Sequence, residues 1–231
     1  MQKFIFVKLR FFHSSFVHPI KRLSKNERSE FKLDPFLKQV LIGNILGDVY
    51  MRRFSIKANT RIVFRQGSNN SSYLLHLYDL FKSFVKTYPK ISKILDNNTG
   101  KIRYNISFAT LALPCFNELY ESFYSGGKKI IPSNIADLLT PVSLAYWIQD
   151  DGSFTGNGLR LHTNAFSLED LNLLINALNK NFAIKATINI SNKKKSQFSL
   201  YISKNQMNMV KELVINYMHK DMLYKLNINS Q

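Results

Sequence analysis

The chain has 231 residues, of which 45% are hydrophobic and 20% are charged, an ordinary balance for a globular protein. This composition excludes a disordered chain, and no apolar run approaches the roughly 18 residues of a membrane-spanning helix. The formal net charge is +17, from 32 Lys and Arg against 15 Asp and Glu. Such an excess predicts a polyanionic partner, with nucleic acid ahead of a membrane surface. The alternative is a soluble protein that is merely basic.

Residues 1–33 form a basic extension in which no acid precedes Glu27. A basic, acid-free start that contains serines is typical of a mitochondrial presequence. Two alternatives stay open, namely a leader derived from an upstream exon and a phosphate-binding arm. The single cysteine, Cys115, excludes an internal disulfide, and no Cys or His spacing matches a zinc site. Frequent Asn, Ile, Lys, Phe and Tyr, whose codons are AT-rich, hint at an organellar gene.

Two helices with the same start and the same acidic end indicate an internal repeat. Asp34-Pro35 and Thr140-Pro141 each combine a capping side chain with proline at the first helical position. The first helix runs to Asp48 and the second to Asp151. The sequence therefore predicts a first half over 34–125, a connecting segment over 126–139 and a second half over 140–231.

Alternating apolar and polar residues after each helix predict antiparallel strands with one buried face. In the first half this pattern covers 61–66 and 101–108; in the second it covers 184–190 and 197–203, joined by a lysine turn at 193–195. A further hairpin turns at 156–158. Helical spacing of apolar residues over 74–85 and 168–178 places a helix between the strand pairs. Each half is thus predicted to be an α+β unit with the order αββαββα.

Asp48, Asp150 and Asp151 lie at the carbonyl ends of their helices, where a negative charge is unfavourable. A divalent cation would compensate such carboxylates. Gly43 and Gly47, one turn apart, allow another backbone to approach closely. If the two helices pack there, Asp48 and Asp151 converge and can hold Mg²⁺ for phosphodiester cleavage. The alternative is that Asp followed by Gly marks an ordinary turn.

Residues 41–49 and 144–152, LIGNILGDV and LAYWIQDDG, resemble the two copies of the nonapeptide that names the LAGLIDADG homing endonucleases. The similarity extends to GKKIIP at 127–132, DLLTPVSLAYW at 137–147 and MLYKL at 222–226. Over residues 36–226 the chain is similar to the single-chain, two-motif branch, to which the yeast mitochondrial omega-intron endonuclease belongs. The first motif is the looser match, because Val49 replaces its final glycine.

The resemblance implies a monomer in which the two motif helices meet at the interface and two antiparallel sheets form a saddle over DNA. Gly43, Gly47 and Ala145 would lie in the helix interface. Asp48 and Asp151 would be the catalytic acids that bind Mg²⁺ or Mn²⁺, one for each strand cut. Lys129 and Lys225 would lie beside the scissile phosphates; the alternative for each is a surface lysine. Asp150 is expected to support the helix end.

Outward-facing strand residues of basic and amide type are suited to base edges in a major groove. The alternative is that they simply face solvent, as in any one-sided sheet. The three successive lysines at 193–195 would contact phosphates. The residues expected to contact DNA are Arg61, Arg65, Lys101, Arg103, Asn105, Arg160, Lys185, Asn189, Lys193, Lys194, Lys195, Gln197 and Ser199.

These features predict a site-specific double-strand DNA endonuclease encoded by a mobile group I intron, active with Mg²⁺ and located in the mitochondrion or another organelle. Two alternatives remain. One is an RNA maturase that assists splicing of its own intron, and the other is a catalytically retired nucleic-acid-binding scaffold in a ribonucleoprotein. Retention of acids at both Asp48 and Asp151 favours the nuclease over a pure binder. No membrane partner is expected.

Overall fold

The fold consists of two successive αββαββα units with additional short elements at their junctions. The structure, a computed structural model, describes residues 23–95 and 100–228, so residues 1–22 of the basic extension predicted over 1–33 lie outside the described residues. The helices are α1 (Lys25–Ser29), α2 (Pro35–Leu46), α3 (Ser71–Phe81), α4 (Asn117–Phe123), α5 (Ile135–Leu138), α6 (Pro141–Asp151), α7 (Leu168–Phe182) and α8 (Met207–Val214). In this described part of the chain, the helices are too short or too polar to cross a bilayer.

Two four-stranded antiparallel sheets have the same connectivity. The strands are β1 (Tyr50–Arg52), β2 (Arg61–Gly67), β3 (Lys90–Leu95), β4 (Ile102–Ala109), β5 (Tyr124–Ser125), β6 (Lys128–Lys129), β7 (Gly152–Phe154), β8 (Gly158–His162), β9 (Ala186–Asn192) and β10 (Gln197–Ser203). The spatial orders are β1-β2-β4-β3 and β7-β8-β10-β9. The predicted fold class, α+β with two αββαββα halves, is therefore confirmed. The pair β5–β6 forms a separate small hairpin between the halves.

The motif helices α2 and α6 begin with the side-chain caps that the sequence predicts. Asp34 accepts hydrogen bonds from the backbone N–H groups of Phe36 and Leu37 at 2.9 and 3.0 Å. Thr140 accepts one from the N–H of Ser143, whose hydroxyl bonds back to the N–H of Thr140 in a capping box. These bonds satisfy N–H groups that have no partner within the helix, and each proline occupies a position that needs no donor.

The helices α2 and α6 pack against each other along their length and are buried over residues 40–46 and 142–150. A methyl group at Gly43 would lie 2.3 Å from the carbonyl oxygen of Ser143 and 2.8 Å from the Cβ of Tyr146. At Gly47 it would lie 2.4 Å from the Cβ of Asp150. The expected close approach at both glycines is therefore found, and Ala145 is fully buried in the second helix.

Each half has its own core between one face of its sheet and its helices. In the first half Phe64 stacks on Phe108 at 4.5 Å and contacts Phe81 at 5.1 Å, and such aromatic pairs add to simple area burial. In the second half Leu161, Leu171 and Leu200 are fully buried at the corresponding place. We call the opposite, outward-facing side of each sheet its groove face.

Four predictions from the sequence differ from the structure. The first motif helix, predicted to run to Asp48, ends at Leu46. The helix predicted over 74–85 ends at Phe81 and continues as a 3₁₀ turn to Phe84. The strand predicted over 184–190 begins at Ala186, and Ile190 is 64% exposed. Ile102 and Tyr104 of β4 are also exposed, because Tyr78 of α3 covers the sheet near Phe108 and not near the hairpin tip. The alternation of apolar and polar residues predicts which strand residues share a face of the sheet. It does not predict how much of that face the helices cover.

Gly43→Ala is expected to lower the free energy of unfolding by about 1–3 kcal/mol, because its methyl group would overlap a backbone carbonyl that cannot rotate away. Chemical unfolding followed by circular dichroism measures this. Gly67→Ala is the matched control, since nothing lies within 4 Å of its added methyl group, and its effect should stay within about 0.5 kcal/mol. Equal effects for the two variants would contradict the glycine contact.

Candidate active site

The carbonyl ends of α2 and α6 meet, and the carboxylate of Asp150 joins them. Its Oδ2 accepts a hydrogen bond from the backbone N–H of Asp48 at 3.3 Å and another from Asn44 Nδ2 at 3.0 Å. Both donors belong to the first half, whereas Asp150 belongs to the second. A side chain of the second motif helix thus bonds to donors at the end of the first. These bonds hold the ends of α2 and α6, which carry the aspartates, in a fixed relative position.

Asp150 lies in a buried hydrogen-bond network. Its Oδ1 accepts from the Tyr73 hydroxyl at 3.0 Å and from Gln66 Nε2 at 3.3 Å. Burial raises the pKa of Asp150, and repulsion by Asp48 adds to this increase, while the hydrogen bonds from Asn44 and Tyr73 oppose it. With four donors directed at it, Asp150 has the surroundings of a supporting group and offers little access to a ligand.

Asp48 shares one amide with Asp150. Gln66 Nε2 donates to Asp48 Oδ2 at 2.9 Å, which orients the carboxylate. Burial raises the pKa of Asp48, while the Gln66 hydrogen bond and the charges of Lys225 and Lys129 lower it. Sequence analysis missed Gln66, although it stands on the buried face of β2 in line with Ile62 and Phe64. A polar residue on a core face is the feature that could have identified it.

Asp151, at the end of α6, differs from Asp48 in having no hydrogen-bonding side chain close by among the residues that the structure describes. Burial raises its pKa to about 8, and repulsion by Asp48 and Asp150 contributes to the increase, against the charges of Lys129 and Lys225. Such repulsion is expected of carboxylates at the meeting ends of two packed helices, and Gln66 contacts two of the three. A positive charge placed among them would relieve that repulsion.

The predicted lysines Lys129 and Lys225 contact equivalent ends of the two motif helices. Lys129 Nζ donates to the carbonyl oxygens of Gly47 and Val49, both at 2.9 Å. Lys225 Nζ donates to those of Gln149 and Asp150, at 2.5 and 2.8 Å. Each ammonium therefore caps the carbonyl end of one motif helix, where a cation is favoured. Burial lowers the pKa of both lysines, and the nearby aspartates oppose that decrease.

Lys129 is placed by the β5–β6 hairpin. Gly126 and Gly127 both have positive φ, the conformation that a two-residue hairpin turn requires. Tyr124, opposite Lys129 in this hairpin, accepts a hydrogen bond from the N–H of Met51 through its hydroxyl at 3.0 Å. The hairpin is thereby attached to β1, immediately after the end of α2.

Lys225 is placed by the 3₁₀ turn Lys220–Leu226, which Met222 and Leu226 anchor in the core. Gln149 of α6 holds the residues before this turn, since its side chain accepts from the N–H of His219 at 2.7 Å and donates to the carbonyl of Tyr217 at 3.3 Å. Two unrelated supports therefore bring equivalent lysines to equivalent helix ends.

The carboxylates at the meeting helix ends supply only some of the oxygen ligands that a hard divalent cation requires. Within residues 23–95 and 100–228 no group of three or more His, Cys, Asp or Glu side chains is arranged to hold a metal ion. The carboxylates of Asp48 and Asp151, with raised pKa values and without a salt bridge between these described residues, remain as oxygen ligands. Mg²⁺ is commonly bound by one or two carboxylates together with substrate phosphates, so two carboxylates are sufficient where a substrate supplies the remaining oxygen ligands.

The groove faces carry the residues that were expected to contact DNA. With the exception of Ser199, all are exposed or half-buried. In the first half they lie on β2 and β4 or directly before β4: Arg61, Arg65, Lys101, Arg103 and Asn105. In the second half they lie on β8, β9 and β10, directly before β9, or in the turn before β10: Arg160, Lys185, Asn189, Lys193, Lys194, Lys195 and Gln197. Each sheet therefore presents positive charge on the side away from its helices.

Ser199 requires a correction. It is only 1% exposed, because its cross-strand partners His162 and Asn189 flank its short side chain, so we assign it no contact with a ligand. In the first sheet Arg52 and Lys90 also lie on the groove face, opposite Arg61 and Ser107. Sequence analysis missed both, because β1 is too short to show alternation and β3 is exposed on both faces.

Comparison with known proteins identifies the class. Residues 38–210 match the model of the LAGLIDADG DNA endonuclease family. Because this match covers most of the chain, the protein belongs to that family, and the resemblance seen in the two motifs is confirmed.

Individual relatives agree with this assignment. The cytochrome b mRNA maturase bI2 of Saccharomyces cerevisiae is 35% identical over 195 residues, 81% of this chain and 46% of its own length. A probable intron-encoded endonuclease 1 of Wickerhamomyces canadensis is 30% identical over 220 residues, 91% of this chain and 93% of its own. The solved homing endonuclease I-WcaI, bound to its DNA recognition sequence, is similar with a TM-score of 0.84, 29% identity and coverage of 93% of this chain and 96% of that one. The chain thus spans about half the length of the yeast maturase.

Asp151→Asn is expected to stabilise the free protein at high pH. The raised pKa, about 8 against the usual 3.8, means that the folded state binds this proton more tightly, so wild-type stability falls as pH rises from about 4 to 8. Asparagine removes the contribution of Asp151 to that dependence, with a gain of about 1–3 kcal/mol at pH 8.5 and little change near pH 4. Thermal unfolding across pH measures both, with the exposed Asp137→Asn as control. A variant curve parallel to that of the wild type would contradict the prediction.

Proposed function

We propose that this protein is a site-specific endonuclease of double-stranded DNA that acts as a monomer and cuts one phosphodiester on each strand. The observation that carries the proposal is the paired arrangement of acids and lysines in a single chain. Asp48 and Asp151 stand at the meeting ends of α2 and α6, and a lysine caps each end, half-buried Lys129 at one and buried Lys225 at the other. Two equivalent sites related by a pseudo-twofold axis suit a substrate whose two strands are related in the same way.

The groove faces support duplex DNA as the substrate. Arginine, lysine and amide side chains on antiparallel strands present donors to base edges, while the exposed lysine turn at 193–195 suits phosphate oxygens. The net charge of +17 favours association with a polyanion at a rate and affinity that fall with salt. The similar structure of the homing endonuclease I-WcaI, bound to its DNA recognition sequence, points to the same substrate class.

Within the proposed site, Asp48 and Asp151 would hold Mg²⁺ or Mn²⁺ together with the phosphates at the cleavage positions. A bound divalent ion lowers the pKa of water and stabilises the charge that develops on a leaving oxygen. The chain's own residues do the positioning. Asp150 and Gln66 orient the Asp48 carboxylate, while Lys129 and Lys225 keep positive charge beside the acids and offset negative charge that develops on the phosphate.

The two halves predicted from the sequence would each cut one strand of the DNA. One half, 34–125, would cut one strand and the other, 140–231, the second strand, with Lys129 supplied by the connecting segment 126–139. We infer from relatives described as intron-encoded that this chain is also encoded by a mobile group I intron and promotes its spread, in a mitochondrion or another organelle.

A second function has a specific observation in its favour. Two relatives at 35% and 34% identity are described as cytochrome b mRNA maturases. We therefore keep assistance to intron splicing as an activity that could coexist with DNA cleavage. It would not require the paired acids, so loss of cleavage by the variants below with retention of splicing would separate the two functions.

Asp48→Asn and Asp151→Asn are each expected to slow cutting of one strand by about 100-fold or more, and the double variant should cut neither. Each single variant would therefore accumulate a nicked product, and the nicked strand would differ between the two. A supercoiled plasmid that carries the joined-exon sequence, with Mg²⁺ or EDTA, gives the measurement. Both single variants should still bind this DNA. Wild-type double-strand cutting by both would contradict the site.

Lys129→Met is expected to slow cleavage of one strand by about 100-fold, and Lys225→Met that of the other, because the phosphate charge then lacks its nearby cation. End-labelled duplex resolves the two strands. Lys128→Met is the matched control for the first variant, as Lys128 is exposed beside it and should leave both rates within about twofold. An equal slowing of both strands by either variant would indicate loss of structure.

A further inference from the structure

The β3–β4 hairpin carries an apolar surface that the proposed DNA-binding function does not use. Its register pairs Lys93 with Tyr104 and Leu95 with Ile102, so these residues share the sheet side that buries Ile106 farther down. Beyond the cover of α3 that side is open, and Leu95 and Tyr104 are 59% and 50% exposed. We call this surface the hairpin wing: Ile91, Lys93, Leu95, Ile102 and Tyr104. It faces away from the groove face.

An open cleft borders the hairpin wing. The last residue pair between β2 and β4 is Gly67 with Asn105, beyond which the chain leaves β2 through a 3₁₀ turn. The edge of β4 that faces β2 therefore has no partner in β2 between Tyr104 and the hairpin tip. The resulting cleft has a volume of about 490 Å³, and Tyr104 lines it together with Ser68, Asn69 and Asn105. It places an aromatic ring beside hydroxyl and amide groups.

The charge of the hairpin indicates what covers the wing. Residues 86–105 contain five Lys and Arg and a single acid, and Lys93 stands within the apolar surface itself. A second copy of this chain, also strongly basic, would be repelled. A polyanion would be attracted, but apolar and aromatic side chains gain nothing from a duplex whose bases are stacked inside. Exposed aromatic rings beside lysines suit a single strand with unpaired bases.

We propose that the hairpin wing binds single-stranded RNA. Unpaired bases stack on Tyr104 and its apolar neighbours, Ser68 and Asn69 bond to base edges in the cleft, and Lys93 contacts a phosphate. RNA is favoured over DNA because the proposed DNA target is a duplex on the opposite side of the sheet. Relatives described as mRNA maturases point the same way. The inference does not depend on DNA cleavage, since it uses other residues on another face.

The test is binding of a fluorescent oligouridine of about 12 nucleotides, followed by anisotropy at near-physiological salt. Tyr104→Ala should weaken binding about tenfold, while Tyr104→Phe, which keeps the ring, should stay within twofold. Ile190→Ala is the control, since Ile190 is an equally exposed apolar strand residue of the second half. It should bind oligouridine like the wild type. Circular dichroism of each variant checks the fold.

Three results would overturn the proposal. The first is equal RNA binding by wild type and Tyr104→Ala, and the second is equally tight binding of single-stranded DNA of the same length. The third is concentration-dependent dimerisation that Tyr104→Ala abolishes, which would make the wing a contact between copies. Binding of the joined-exon duplex should be unchanged in Tyr104→Ala. If only the nuclease proposal is wrong, the wild-type protein will not cleave the joined-exon DNA, but it will still bind RNA in a way that depends on Tyr104.

Discussion

The contact between α2 and α6 determines the geometry of the rest of the molecule. Because Gly43 and Gly47 bring the two backbones together, the carbonyl ends of the helices converge, and with them Asp48 and Asp151. Each sheet starts close to the end of its motif helix, at Tyr50 after a short turn in one half and directly at Gly152 in the other. The spacing of the acids and the placement of both groove faces therefore follow from one helix–helix distance.

The same contact has an electrostatic cost. Three carboxylates lie at the unfavourable end of two helix dipoles, and burial and mutual repulsion raise their pKa values. Lys129 and Lys225 offset part of this cost by bonding to the helix carbonyls. The free protein thus retains unfavourable charge at the centre of its fold, an arrangement that substrate and cation would relieve and that stability alone would not favour.

Local features were predictable from the sequence, and long-range ones were not. The caps at Asp34 and Thr140 and the strand alternation depend on residues a few positions apart, so they could be found without the fold. The network of Gln66, Tyr73 and Asn44 around Asp150 joins four elements and depends on exact packing. Exposure of the β3–β4 tip likewise depends on where α3 ends in space, which periodicity does not encode. The lysine positions came from the resemblance, and their helix-capping bonds from the structure.

The pseudo-twofold contact pairs a small residue with a large one at both crossing points, Gly43 with Tyr146 and Gly47 with Asp150. These are corresponding positions of the two motifs. Two copies of the first half would place glycine opposite glycine at both points, whereas two copies of the second would place tyrosine opposite tyrosine and aspartate opposite aspartate. The two motif helices are therefore complementary, and neither would form the same contact with a copy of itself. A substitution at one crossing point changes the fit of the facing residue on the other helix, which the same gene encodes.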